Sequence, residues 1–306
     1  MKSETLDLLF LYAESPVHWG TGTSVGVVDL PIQRERHTDY PMGQASGIKG
    51  ALRAWFESRG GSETMITAAF GPDSNASDHA GCVAFGDARL VLFPVRSLRG
   101  TFAYCTTRIV LARLERDLEL AGRPEKLASA LDDGDGTALV AEGSSLEGGG
   151  RVVLEEFPVA VSKDKSVVAV GEALGRLAAP ATPKDFWTKR LSTHLCVLPE
   201  DLFRDLVRMA TTIETHVKID NKTGTAKDGG LFYEELLPSD AVLYCPTYVS
   251  PPLRPEKRPD DWPTRADEVR KFVGAVDAQR VQMGAGSTTG RGIVMCRWHE
   301  GGIANG

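Results

Sequence analysis

An α+β fold, a sheet-and-helix sandwich of the ferredoxin-like kind, is what this sequence predicts, on three observations. A strand-like apolar run, Leu6 to Ala13, precedes an amphipathic helical stripe at 46–59, and a second strand pattern follows at 82–95. The C-terminal part ends in a helix followed by strand, glycine loop and strand over 264–298. Thirty-two glycines and 17 prolines punctuate the chain, and no repeat of fixed period links the elements. At 306 residues the whole chain, 1–306, is long enough for one large domain that buries roughly three quarters of its unfolded surface.

Leu6 to Ala13 (LDLLFLYA) is rich in leucine and aromatics and stops at Ser15-Pro16, which predicts a buried strand and a turn. Residues 20–40 carry glycines, two short apolar steps and a basic tail without a packing period, so they read as a long, mobile loop. From Ser46 to Arg59, Ile48, Leu52, Trp55 and Phe56 form one helical stripe, and Lys49 and Arg53 stack at i, i+4 as a basic ridge. A polar loop through Gly71-Pro72-Asp73 leads to a strand over Cys82 to Val95. Thr106 to Ala121 reads as a helix with Leu111, Leu114 and Leu118 on its face and Gly122 just past its end. The glycine-rich segment from Asp132 to Gly150 reads as an exposed connection, not a hinge between two cores, because neither side holds a complete set of elements.

Arg151 to Val170 reads as strands, and Asp201 to Thr215 as a helix. Residues 216–238 give strand, polar tip, strand: a projecting hairpin. Six prolines within 246–263 predict a semi-rigid spacer. The last helix is expected to start at Thr264, whose spacing to Asp267 suits a capping box, and 281–298 closes the chain as strand, glycine loop and strand.

Composition narrows the function classes. Apolar residues at 42% and charged residues at 25% exclude a wholly disordered chain. No apolar run approaches the ~20 residues that cross a bilayer, and the mixed-charge start does not resemble a signal peptide, so no membrane partner and a cytoplasmic location are expected. The five cysteines form no C-x-x-C pair and read as buried small hydrophobes. A net charge of −6 means that any nucleic-acid site must be a local basic patch.

Four constellations can carry chemistry. Residues 284–292 (GAGSTTGRG) offer bare backbone that either makes a tight hairpin or cradles a phosphate; the segment is not a P-loop and does not open a helix. The loop and its flank hold His18, Asp29, Arg34, Arg36 and His37, a mixture of acid, base, metal ligand and phosphate clamp, although Asp29 also suits a turn and His18 a hydrogen-bonded loop position. Glu234 and Glu235 point to opposite faces of a strand, so at most one is expected to share a site with the loop. Lys49 and Arg53 form either a solvated ridge or a phosphate grip.

In combination, His18-Trp19-Gly20, the string Val27-Val28-Asp29-Leu30-Pro31-Ile32-Gln33-Arg34-Glu35-Arg36-His37, Ile48-Lys49-Gly50-Ala51-Leu52-Arg53, Phe93-Pro94-Val95-Arg96-Ser97, Leu231-Phe232-Tyr233-Glu234-Glu235 and the final glycine loop closely resemble the RAMP-superfamily backbone subunits of type III-B (Cmr) CRISPR effectors. The similarity covers nearly the whole chain. The resemblance implies an RRM-like palm with a thumb hairpin at 216–238, copies stacked along a CRISPR RNA beside other Cmr subunits, and cleavage of the paired target RNA at regular intervals. It also implies that Asp29 is the catalytic carboxylate, as base or as ligand of a divalent ion (Mg2+ is expected), with His18 and Glu234 in support. Lys49, Arg53, Gly286, Gly290, Arg291 and Gly292 would grip the guide backbone. A non-cleaving, guide-binding scaffold is the alternative. A third reading is a stand-alone processing nuclease using His18 and His37. The family often carries an aromatic near Leu236, which this chain lacks.

Overall fold

The computed structural model describes residues 5–73, 79–132, 136–180, 184–253 and 258–302. The first half runs β1 (Thr5–Ala13), β2 (Met42–Gly43), α1 (Ala45–Ser58), α2 (Glu63–Phe70), β3 (Val83–Phe85), β4 (Ala88–Arg96), β5 (Phe102–Thr107), α3 (Arg108–Leu120) and β6 (Ala138–Val140). The middle runs β7 (Arg151–Leu154), β8 (Phe157–Lys163), α4 (Ser166–Ala178), α5 (Lys184–His194), β9 (Leu195–Leu198) and α6 (Glu200–Met209). The last part runs β10 (Thr212–Ile219), β11 (Ala226–Leu236), β12 (Val242–Val249), α7 (Ala266–Gly274), β13 (Arg280–Gln282) and β14 (Ile293–His299). The α+β class expected from the sequence is the class the chain adopts.

One mixed sheet organises the molecule, in the order β13-β14-β1-β12-β4-β5-β9-β6-β8-β7, with β2 on β4 and β3 on β12; β10 and β11 form a separate two-stranded hairpin. Helices cover both faces of the large sheet, which explains why β1 is apolar at almost every position. Leu9, Leu11 and Ala13 face one core with Ile48, Leu52 and Phe56 of α1 and Val269 and Val273 of α7. Leu6, Leu8, Phe10 and Tyr12 face the other, with Leu111, Leu114 and Leu118 of α3 and Val170 and Leu174 of α4. The exception in β1 is Asp7, fully buried and paired with Arg270 of α7 through Oδ2···Nε at 2.9 Å and a second contact through Oδ1. All five cysteines are free and buried, and burial pushes the thiols up, Cys82 to about 11 and Cys196 and Cys245 to about 12.

Several sequence expectations change. The presumed polar loop before Gly71 contains α2, started by Ser62, whose hydroxyl accepts from Met65 N–H. Part of the glycine-rich stretch 132–150 is not exposed: β6 and Leu146 are buried, because β6 is inserted between β8 and β9; residues 133–135 lie outside the described set. Strand propensity over 151–170 hid α4, whose Val167, Val170 and Leu174 lie on a helical face. Helix α6 ends at Met209 because Thr212 and Ile213 are drawn into the hairpin ladder opposite Leu236 and Glu235. Pro246 lies inside β12, where the flanking ladder breaks between its pairings with β4 and β3, so no neighbour there needs the missing N–H. The expected spacer therefore begins only after Val249, and its residues 254–257 lie outside the described set. Helix α7 starts at Ala266, and Thr264 N–H bonds to Glu268 in place of the expected box with Asp267.

Candidate active site at the base of the hairpin

The hairpin begins at Thr212, four residues before the expected boundary, and turns at 220–225, where Asp220 N–H donates to Thr225 O and Gly224 N–H to Asp220 O. Its strands alternate, so Glu214 and His216 share a face with Glu234 and Phe232, while Glu235 faces the other way. The segment between β1 and β2 does not hang free of this hairpin. Leu30 runs parallel beside Glu234, with Leu30 N–H donating to Tyr233 O (3.0 Å) and Glu235 N–H to Leu30 O (2.9 Å). The loop thus acts as a third strand at the hairpin edge.

That edge position corrects the expectation that at most one of the two glutamates can meet the loop, since a strand alongside sees both faces. Glu235, only 6% exposed, accepts from Ile32 N–H (3.0 Å), from the Arg34 guanidinium (2.5 Å) and from the Thr211 hydroxyl (2.9 Å). Arg34 also donates to the carbonyls of Asp39 and Val207, which ties the loop to the end of α6. Arg34 is therefore engaged as a structural clasp, and Glu235 joins the candidate site although sequence reasoning left it unplaced.

His18 is 7% exposed, and its Nδ1 lies 2.8 Å from the Glu235 carbonyl and 3.6 Å from Glu234 Oε1. A carbonyl only accepts, so Nδ1 carries a proton toward Glu235, while Nε2 has no hydrogen-bond partner among the described residues. Gly20 makes room for it: any Cβ there would collide with Nε2. Asp29 is half-buried, and its Oδ2 accepts from Tyr233 N–H at 2.7 Å, which leaves Oδ1 without a hydrogen-bond partner among the described residues. Asp29 and His18 therefore both bond to the backbone of residues 233–235, the stretch of strand that carries Glu234.

The glycine loop lies on the opposite side of His18. Ala285 N–H donates to His18 O (3.0 Å), and Gly292, at φ +75°, packs against the Met283 carbonyl too closely for any side chain. Gly286 and Gly290, both left-handed, flank a single 3-10 turn at Ser287–Thr289. Arg291 leaves this loop to pair with Glu214 on the hairpin. Glu214 and His216 were missed in the sequence, although Glu-x-His with strand periodicity is the signal that would have found them. His216 Nε2 lies 3.1 Å from Glu234 Oε2, and its ring stacks on Phe232 at 4.9 Å. Leu236 is fully buried at the root of the hairpin, a packing position.

The remaining predicted positions lie apart from this cluster. Lys49 lines a cleft with Ser46, Phe70, His79 and Phe85, and burial, with Arg53 alongside, lowers its ammonium from the usual value. Arg53 is engaged, with Glu57 at 2.8 Å and the Gly71 carbonyl at 2.8 Å. His37 meets Arg113 (2.9 Å) in a different cleft, lined by Glu35, Asp87, Arg89 and Arg116. None of its contacts is with His18, and this removes the geometric support for a nuclease using that pair.

A family model described as the RAMP superfamily matches residues 10–294. The chain belongs to the RAMP superfamily. Among curated RAMP proteins it is 36% identical over 295 residues to the CRISPR system Cmr endoribonuclease Cmr4 of Pyrococcus furiosus, covering 94% of this chain and 93% of that protein, which places it in the Cmr4 family. The crystal structure of oligomeric Cmr4 from the same organism superposes with a TM-score of 0.72 at 30% identity, over 96% of this chain and 98% of that one. A chain of the type III-B Cmr-beta complex bound to cognate target RNA shares the RAMP fold, with a TM-score of 0.75 at 19% identity over 97% and 98% of the two chains. No helix among the described residues is long and apolar enough to cross a membrane.

Proposed function

We propose that this chain is the backbone nuclease subunit of a cytoplasmic type III-B CRISPR ribonucleoprotein: copies stack along a CRISPR RNA beside other Cmr subunits, and each cleaves paired target RNA. The observation that carries this reading is the Asp29 carboxylate, fixed by Tyr233 N–H at the hairpin edge with one oxygen unengaged, next to the strand residues that hold His18 and Glu234.

RNA can be cut without a water nucleophile when its own 2′-OH attacks the adjacent phosphate, which needs a proton acceptor at that hydroxyl and a donor or positive charge at the phosphate. Asp29 Oδ1 is the acceptor in this scheme. His18, with its proton fixed on Nδ1 by the Glu235 carbonyl, turns Nε2 toward the Gly20 gap and orients the sugar–phosphate. Glu235 holds Ile32 and Arg34, and so sets where Asp29 stands. A hard oxygen donor such as Oδ1 suits Mg2+, which is commonly held by one or two carboxylates together with substrate phosphate, and such an ion would supply charge neutralisation. Lys49 and the glycine loop with Arg291 would meet the guide backbone, where sequence-blind contacts are needed because base pairing reads the target.

The same Asp29–Tyr233 bond favours the second reading, in which Asp29 only pins the loop and the chain is a guide-binding scaffold. Asp29→Asn retains an acceptor for Tyr233 N–H and removes the base. In an assembled guide complex it is expected to lower target cleavage by about 100-fold or more while guide and target binding persist. Cleavage at the wild-type rate removes Asp29 as the base and favours the scaffold reading.

A further inference from the structure

We infer that Glu214, His216 and Glu234 form a binding site for a first-row transition-metal ion of the Mn2+ or Zn2+ class, separate from the Asp29 carboxylate. One ligand atom from each of the three lies within 4.8 Å of the other two. His216 Nε2 is 3.1 Å from Glu234 Oε2 and 3.9 Å from Glu214 Oε2. Metal–ligand bonds of about 2.1 Å meeting near the tetrahedral angle place neighbouring ligand atoms about 3.4 Å apart, so these separations bracket what an ion requires.

The sequence and register deliver the set. Glu214 and His216 stand two apart on β10 and so share a face, and Glu214 is directly opposite Glu234 on β11. Like charges directly opposed across antiparallel strands are destabilising, and a cation between them reverses the sign of that term. The two carboxylates are also divided in the way ligands are. Each turns its Oε2 toward His216, while the outer oxygens are held by other groups, Glu214 Oε1 by Arg291 and Glu234 Oε1 facing His18 Nδ1 at 3.6 Å. Outer partners of this kind orient ligating carboxylates and fix their geometry. Phe232, stacked on the imidazole at an interplanar angle of 15°, fixes the ring.

The donor set selects the ion. Mg2+ prefers six oxygens in octahedral geometry, whereas an imidazole nitrogen with two carboxylates suits Mn2+ or Zn2+, and one or more positions remain open to solvent or ligand. The site joins three elements, β10, β11 and, through Arg291, the glycine loop, so an occupying ion braces the root of the hairpin against the palm.

Chelator-treated full-length chain, without RNA, is titrated with Mn2+ and followed by the loss of the free-ion electron paramagnetic resonance signal, and with Zn2+ followed calorimetrically. One saturable site per chain is expected, weakened at least 10-fold by His216→Ala and by Glu214→Gln, and unchanged in Asp29→Asn. Because Glu214→Gln retains the side-chain shape, a metal-free melting temperature equal to wild type confirms that its loss of binding is local; if it fails to fold, His216→Asn serves in its place. Absence of a saturable site, or equal affinity in His216→Ala and wild type, overturns the assignment, as does loss of binding in Asp29→Asn. These readouts involve no cleavage, so they are independent of whether the chain is a nuclease.

Discussion

The palm sheet and the base of the hairpin are held together by different physics. Along β1, eight of nine residues are buried and seven of those are apolar, packed between helices on both faces. At the hairpin base the strands alternate between partial burial and exposure, and the contacts that fix them are carboxylates with arginine, histidine and backbone N–H groups. Burial in the palm scales with apolar area and is not subject to charge screening or metal binding, whereas the hairpin base depends on charged groups that each answer to both. The candidate site thus sits on the part whose geometry can respond to ions and is anchored to a part that responds far less.

If that contrast holds, the largest effect on stability comes from the palm. Phe10 is fully buried between Tyr244 (ring centroids 6.0 Å) and His299 (5.4 Å). Phe10→Ala is expected to cost about 3–5 kcal/mol through lost transfer energy and the cavity left behind, read by urea denaturation with an unchanged m-value. A loss below about 1 kcal/mol would mean that the palm core is not close-packed.

The buried Asp7 of β1 gives a sharper test. Removing Asp7 leaves the Arg270 guanidinium, 15% exposed at its side chain, without its carboxylate, and Gly301 N–H also loses its acceptor. Asp7→Ala is expected to destabilise by about 3–5 kcal/mol, whereas the double change Asp7→Leu with Arg270→Leu recovers most of the loss, since a buried pair replaced by apolar groups is often neutral. A double variant as unstable as the single one would show that the pair contributes more than it costs to desolvate.

At the hairpin base the expected effect divides between stability and activity. Glu235→Gln loses the charge that holds Arg34 and keeps a neutral acceptor, so a stability change of about 1–3 kcal/mol is expected, together with slower target cleavage as the Asp29 loop loosens. Loop loosening predicts faster hydrogen exchange at Leu30 and Ile32, read by mass spectrometry, with β1 unaffected. Exchange unchanged at both positions would remove Glu235 from its positioning role.

How much of this was legible beforehand follows the same division. Leu6 to Ala13, the stripe of Ile48, Leu52 and Phe56, and the closing strand–loop–strand could be read because an unbroken apolar run, a helical stripe and a glycine-marked turn are local signals. Helices α2 and α4 were not. Val167, Val168 and Val170 look like strand residues one at a time, and the packing of α4 against α5, β1 and β14 makes them helical. His18, Asp29 and Glu234 were named by resemblance, yet nothing in their spacing places them together: that depends on Leu30 lying beside Glu234, 204 residues away. Glu214 and His216 could have been seen as a same-face pair, but the neighbour that gives the pair meaning is set by the hairpin register. Glu235 was set aside because alternation assigned it to the other face, which is correct for two strands and incomplete once the loop adds a third.

The smallest expected effect is a pH dependence from two histidines of the palm. His299 is half-buried at the end of β14, where its Nε2 lies 2.7 Å from the Leu177 carbonyl. Desolvation, the largest cause, together with Arg123 and Arg297, lowers its pKa from the ordinary value near 6.5, and the bond to Leu177 opposes this only in part. A folded-state value below the unfolded one means that the unfolded chain binds the proton more readily. Stability from this group is therefore present above about pH 6.5 and declines as pH falls through that value toward the lower folded pKa. His194, lowered by burial and by Arg190, adds in the same direction. The difference in denaturation midpoint between pH 7.5 and pH 5 is expected to shrink in His299→Gln and further when His194→Gln is added. A difference unchanged in both variants would remove these two histidines as a source of acid sensitivity and take the pH dependence away from the palm side of the comparison.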